Sequence, residues 1–582
     1  MQSKKLIIFL LAAMAAVTAI SCTGKVEPEG GAGNGSSEPE VPQPQPKPQL
    51  EGNIKGKVTD AVTGAPIAGV SVSDGYTVTS SDADGNYALQ GNELTRTVFI
   101  SVPAEYEIPT DKNNHPTFYI KGDFSDTEKD YVNNFTLTPR AKVSDKFLLA
   151  AGADTHIFDE RDLGRFKSET LPDMLTTIAG LNGGGSYDNA IVIQLGDQMS
   201  DKMEMVAPYK AAIAGKSVGG RPLPFFHCIG NHDFANSDLE DLEPTSYNAS
   251  KTYVENFGPL DYSLNIGNAH IIVMNNMMVN EKDLTTRYGA VKCIGYNAGF
   301  TDEQVEWLKQ DLAAVKDPHK KVAVLCVHVP IKSSTAKNFQ AIAVQLTQFN
   351  EAHILSGHSH HLVNHIHSNK TCKGGSKIYE HNLQAVAGSW WNSNLSPDGT
   401  PMGYAVYRFA GNKLFDSLNK ATGASSNLQI RVYNGNDSYN GYTEGRGITG
   451  KPSHNETFAW GDDYKGKFIA RVWDADSENW TVEFVQNGKA VPMERVTLKD
   501  ECTGAFNRNI INRIYGTESS YYPSRDCFWV ADAPGGDPAT EKDWEIVAKH
   551  KMPTGWTQTY TCKVLQRDYT GFATGSEFPE NN

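Results

Sequence analysis

Long apolar runs are missing from this chain once its N-terminus is passed. No later stretch reaches the ~20 residues that cross a bilayer, so the bulk of the sequence reads as soluble protein. Cysteine is sparse, with eight in 582 residues, too few for a disulfide scaffold. Positive charge is in deficit: 53 Lys+Arg against 68 Asp+Glu leave a formal net charge of −15, which excludes a general nucleic-acid binder. Gly 52 and Pro 28, with 39% hydrophobic residues, exclude a disordered or collagen-like chain. The length predicts three domains with short extras.

What is present begins with an export signal. Lys4 and Lys5 precede an apolar run from Leu6 to Ala19, too short to span a bilayer comfortably. Ala19-Ile20-Ser21-Cys22 resembles a bacterial lipobox, which implies cleavage before Cys22 and a membrane anchor through lipid on its thiol. Thr23 rather than Asp follows, which by the same resemblance favours a cell-envelope, outer-membrane lipoprotein facing the periplasm or the outside. Residues 23–50 are rich in Gly, Ser, Glu and Pro and lack the apolar area to offset ordering entropy, so 1–22 reads as signal and lipobox and 23–50 as an extended tether. With Cys22 lipidated an odd number of cysteines remains. Cys228 and Cys326 lie in apolar runs as buried thiols, and Cys293, Cys372, Cys502, Cys527 and Cys562 are the candidates for pairing.

Residues 51–140 alternate short Val/Ile/Thr-rich stretches with Gly turns, the pattern of a small β-sandwich. Gly56-Lys57-Val58-Thr59-Asp60, Pro66–Val70 and Asp84-Gly85-Asn86-Tyr87 resemble carboxypeptidase-regulatory-like modules, and without a catalytic grouping the domain reads as a spacer or docking unit. From 141 to 424 continuous apolar runs appear (Lys146–Ala151, Ala190–Leu195, Pro224–Ile229, Ile271–Met274, Val322–Val327), suited to strands covered on both faces. Between them Thr301 and Gln304 form a capping box ahead of Val305, Leu308 and Leu312 on one helix face. This is an α/β layered domain, its second sheet completed by 369–424. Residues 425–582 read as a C-terminal all-β domain.

Five short motifs follow apolar strands in order: Asp154-Thr155-His156, Gly196-Asp197, Gly230-Asn231-His232-Asp233, His328, and Gly357-His358-Ser359-His360. Open α/β sheets place their ligands at the carboxyl ends of strands. Each motif alone is weak; together and in this order they resemble the calcineurin-like metallophosphoesterases over roughly 145–410. The flanking β-domains resemble a group of bacterial lipoprotein phosphoesterases. The resemblance implies a four-layer α/β/β/α sandwich flanked by two all-β domains, and a phosphomonoesterase or phosphodiesterase with two divalent ions. Asp154, His156 and His360 are then expected to hold the first metal and Asn231, His328 and His358 the second, with Asp197 bridging.

Bonding chemistry agrees, because two carboxylates, four imidazoles and an amide oxygen suit Mn, Zn or Fe and lack the thiolates of a structural zinc site. Two divalent ions less two carboxylates and one bridging hydroxide leave positive charge for a phosphate oxyanion, with the hydroxide attacking in line. His232 is the expected general acid, and an imidazole of ordinary pKa ~6.5 suits the task. Its orienting carboxylate is Asp201 or Asp233, since Ser200 stands where protein phosphatases of the superfamily carry one. Ser200 also cannot be the tyrosine ligand of purple acid phosphatases.

Asn275, Asn276, Trp390, Trp391, Asn392 and Tyr404 are candidate substrate contacts. His361, His365 and His367 read as supporting residues, and Asp159 and Asp162 as helix-start acids or substrate contacts. Loops 234–262 and 277–300 are expected to set pocket specificity. Two other functions stay open: a surface-binding lipoprotein with a vestigial catalytic core, and a 5′-nucleotidase-like enzyme, whose nucleotide-stacking region is not found here.

Overall fold

The computed structural model describes residues 50–182, 187, 189–236, 245–279, 284–287, 290–293, 295–331, 336–368, 377–442, 455–509, 523–551 and 557–567. The expected signal, Cys22 and tether, the Cys293 side chain, and Cys372 lie outside them.

Two sheets carry the central domain. The first runs, in spatial order, Phe225–Cys228, Asn189–Leu195, Lys146–Gly152, Gly403–Ala410, Lys413–Ala421. The second runs Tyr262–Ile266, Ala269–Val273, Val322–Cys326, Glu351–Ser356, Ile378–Asn382, Val363–His367. The strands that feed the motifs pair in parallel. Lys146–Gly152 shows why its run is apolar throughout. Phe147, Leu149 and Ala151 enter the core that includes the second sheet, while Leu148 and Ala150 meet the helices on the other side. Those helices include Leu171–Leu181 and Val206–Ile213; Asp302–Ala313 and Phe339–Leu346 pack into the core of the second sheet. Thr301 and Gln304 form the capping box at the start of Asp302–Ala313.

The segment 369–424 does not simply complete the second sheet. Ile378–Asn382 joins it, but the hairpin Gly403–Ala410/Lys413–Ala421 pairs antiparallel with Lys146–Gly152 in the first. The hairpin is apolar on both faces, Tyr404 and Val406 toward the helices and Ala405, Tyr407 and Phe409 toward the other core. It can therefore cover the remaining edge of a fully buried strand.

The N-terminal domain is two four-stranded sheets, and it is fused to the central domain rather than spaced from it. Phe118 packs on Tyr262 and Phe226, and fully buried Trp307 donates its indole N–H to Ser73 at 3.0 Å. The C-terminal domain pairs two four-stranded antiparallel sheets and, among its described residues, carries an α-helix, Glu501–Asn509, that its sequence pattern does not announce. Cys228, Cys326, Cys527 and Cys562 carry free thiols. Among the described residues no helix is long and apolar enough to cross a membrane.

Candidate metal centre

Each motif begins where a strand ends. Lys146–Gly152 leads to Asp154 and His156, Asn189–Leu195 to Asp197, and Phe225–Cys228 to Asn231 and His232, all on the first sheet. Val322–Cys326 leads to His328 and Glu351–Ser356 to His358 and His360, both on the second. The two sets of strand ends touch: His328 Nδ1 donates to the Leu195 carbonyl at 2.7 Å. A Cβ on Gly196 would lie 2.3 Å from that same nitrogen, and Gly196 has φ +94°, so only glycine fits there.

The backbone at the motifs is locally strained. Asp154, His156, Asp197, His358 and His360 all have φ between 47° and 66°, a region that costs non-glycine residues ~1 kcal/mol or more each. The turned backbone is held by its neighbours. His156 N–H donates to the Asp197 carbonyl at 2.9 Å, and His358 N–H to Asp154 Oδ2 at 2.9 Å. Asp197 Oδ1 accepts the His232 amide at 2.8 Å, leaving Oδ2 3.2 Å from His328 Nε2 and 3.7 Å from His156 Nε2.

Two donor sets that share no residue result, with an overlapping third group, His156/Asp197/His232, between them. In each of Asp154/His156/His360 and Asp197/His328/His358, one ligand atom per residue lies within 4.8 Å of the others. Asn231 Oδ1 adds to the second, 3.2 Å from His328 Nε2. These residues fit cations better than they fit one another. His328 Nδ1 must carry the proton it gives to Leu195, so its Nε2, set against two oxygens, needs either a second proton or a cation. His156 and His360 bring their Nε2 atoms to 2.9 Å, and their buried Nδ1 atoms have no hydrogen-bond partner among the described residues.

The charge states follow from burial and neighbours. Burial pushes His156 well below its ordinary pKa and His360 down to about 3, so both rings are neutral, the form a metal takes. Burial lifts Asp154 to about 8, partly offset by His328. Burial also acts to raise Asp197, but His328 and His232 outweigh it and hold that carboxyl well below the usual range. Burial would lower His328, yet the Asp197 carboxylate carries it up to about 9.

His232 stands beside this centre, its ring edge-on to His156 with centroids 5.0 Å apart. Its Nδ1 meets Asp201 Oδ1 at 2.8 Å, which decides between the two carboxylates the sequence left open. Asp233 is not its partner. That carboxylate is fully buried and accepts the amides of Met199 and Gly230 at 2.9 Å and Gln198 at 3.3 Å, clasping the second motif to the third.

Other candidates separate. Trp390 lies at the centre, its ring 4.7 Å from His360. Trp391 is buried, with its indole N–H on the Thr155 carbonyl, and Tyr404 is buried with its hydroxyl on Asp173 and Thr177. Asn392 turns to the Trp390 carbonyl and to Arg161. Asn275 closes a turn on Met277, and Asn276 ties its strand end to Val329 from both sides. These five bond to backbone or to neighbouring side chains outside the two donor sets. Asp159 caps the helix Glu160–Arg165, and His367 pairs with Glu380.

Two residues escaped sequence reading. Tyr296 Oη lies 2.6 Å from His358 Nε2, and Arg525 of the C-terminal domain reaches His361 Nδ1 at 2.5 Å. Neither sits in a motif, and both arrive from distant segments.

The family profile for calcineurin-like phosphoesterase matches residues 113–362, and its companion N-terminal and C-terminal profiles match 52–140 and 380–549. The chain belongs to the calcineurin-like phosphoesterases. This family is metal-dependent, and the domains that flank its core are present here on both sides. Solved structures similar to the chain include a 5′-nucleotidase from Candida albicans SC5314, at 13% identity and TM-score 0.26, covering 45% of this chain and 47% of that one. A purple acid phosphatase from yellow lupin (Lupinus luteus) seeds gives 11% identity and TM-score 0.30, covering 62% and 74%. No curated protein matches the chain.

Proposed function

We propose that this calcineurin-like phosphoesterase hydrolyses phosphomonoesters or phosphodiesters with two divalent first-row cations, and that it is an exported protein anchored to the outer membrane through lipid on Cys22. The observation that carries the catalytic reading is the pair of donor sets on either side of Asp197. Asp154, His156 and His360 would hold one ion, Asn231, His328 and His358 the other, and Asp197 both. Bound there, such ions supply Lewis acidity toward a phosphoryl oxygen and acidify a water for attack.

The chain's own residues do the rest. Asp197 is aimed by the His232 amide on its other oxygen. His232 is the proton donor to the leaving oxygen, and Asp201, on Nδ1, leaves Nε2 to carry the proton that is transferred. A leaving alkoxide needs that proton more than a phenolate does. Trp390, its ring tilted 42° against His360, forms a wall where a substrate's organic part can lie.

The test of the catalysis is removal of metal with a chelator and reloading with Mn²⁺ or Zn²⁺, assayed on generic mono- and diesters. Activity is expected to vanish and return, and turnover untouched by chelation would refute the reading. For the anchor, Cys22→Ser should move the protein from the membrane fraction to the soluble envelope fraction; unchanged membrane association would refute it.

A further inference from the structure

We propose that Tyr296 is the positioning residue of the second donor set: its hydroxyl oxygen accepts the Nε2–H of His358 and so turns the Nδ1 lone pair toward Asp197 and His328. The inference rests on the metal-dependent reading above. His358 offers one atom to a cluster with Asp197 and His328 in which all ligand atoms lie within 4.8 Å. Its Nε2 is engaged 2.6 Å from Tyr296 Oη, the two rings meeting edge to face at 79°, so Nδ1 is the nitrogen left for the cluster. A neutral imidazole has one N–H and one lone pair, and fixing the first fixes the second. Metal-binding histidines commonly give their other N–H to an oxygen acceptor in this way. His328 already does so in the opposite sense, with Nδ1 on the Leu195 carbonyl and Nε2 toward Asp197.

The tyrosine is held in place rather than floating. The two residues after it, Asn297 and Ala298, pair with Met278 and Met277 respectively, and Gly299 N–H donates to the Asn276 carbonyl at 3.0 Å. Its half-buried ring packs on the apolar core beneath the first sheet. Segment 277–300, expected from the sequence to set pocket specificity, thus reaches a candidate ligand through Tyr296. The two donor sets differ in consequence. His328 has contacts at both nitrogens and His358 is held at Nε2, whereas among the described residues the Nδ1 atoms of His156 and His360 have no hydrogen-bond partner. The second set is accordingly the better prepared for a cation.

Tyr296→Phe keeps the ring and removes the acceptor. Calorimetric titration of the metal-free protein with Zn²⁺ should show two binding steps in the wild type. In the variant the tighter step should weaken about 10- to 100-fold and the other should not move. Neutron diffraction from metal-free crystals should place the His358 deuteron on Nε2. Two unchanged binding steps in Tyr296→Phe, or a deuteron on Nδ1 in the wild type, would overturn the proposal. A wild type that takes up no Zn²⁺ defeats the phosphoesterase reading itself. The deuteron, read without metal, still decides the role of Tyr296.

Discussion

His232 Nδ1 and Asp201 Oδ1 are 2.8 Å apart, although thirty-one positions separate the two residues in the chain. Asp201 adopts φ 61°, a backbone state an aspartate tolerates at a cost, and its carboxylate is buried while the imidazole remains partly open. The pairing fixes which nitrogen of His232 can face a substrate. Asp201→Asn should therefore lower kcat on alkyl phosphate esters by about 10- to 100-fold and on nitrophenyl esters by far less, since only the poor leaving group needs the proton. Equal losses on both substrates would show that Asp201 serves folding rather than proton transfer.

Arg471 couples the C-terminal domain to the loop that carries Trp390. It is almost fully buried, donating to Asp398 Oδ2 at 3.0 Å, to the Asp398 carbonyl at 2.6 Å and to Asp500 at 2.9 Å. Removing one partner of a buried ion pair leaves the others desolvated and uncompensated. Arg471→Leu is expected to cost about 3–5 kcal/mol, measured as the loss of unfolding free energy in urea. Arg471→Lys should recover only part, because one ammonium cannot reproduce a forked guanidinium. A loss under about 1 kcal/mol in Arg471→Leu would contradict the account of this junction.

Asp261 gives a pH dependence away from the donor sets. Burial pushes its carboxyl up to about 7, against which Gln304 and the Asn275 amide act as donors at 2.8 and 3.0 Å. The unfolded chain holds the same group near ~3.9. The folded state thus binds the proton more tightly, so this group's stabilisation is complete below pH ~4 and is lost as pH rises through about 7. Asp261→Asn keeps the acceptor oxygen and removes the charge. Its melting temperature relative to the wild type should rise between pH 5 and pH 8, by ~2 °C or more. A relative melting temperature that falls over that range would reverse the assignment.

Much of the centre was legible because its information is local. A glycine or small residue ends a buried strand, the next positions carry metal-binding side chains, and the order of five such ends is specific. Asp154, His156, Asp197, Asn231, His328, His358 and His360 were brought together as candidates by that grammar and by the family resemblance it carries. What the chain hides is set by tertiary contact. Nothing in the spacing of Asp201 and Asp233 says that one meets His232 and the other clasps three amides. The Trp391 and Tyr404 side chains look like pocket walls in sequence, yet each closes a buried hydrogen bond behind the centre. The hairpin Gly403–Ala410/Lys413–Ala421 reads as strands in any sheet, and only the open edge of Lys146–Gly152 decides which one it joins.

The central claim is that Asp197 organises two cations between the opposed donor sets. Crystals of the protein reloaded with Mn²⁺ or Zn²⁺ and measured at the metal's absorption edge should show two anomalous peaks ~3.5–4 Å apart. One should be held by Asp154, His156 and His360, the other by Asn231, His328 and His358, with an Asp197 oxygen in contact with both. A single peak, or two peaks that leave Asp197 uncoordinated, would contradict it.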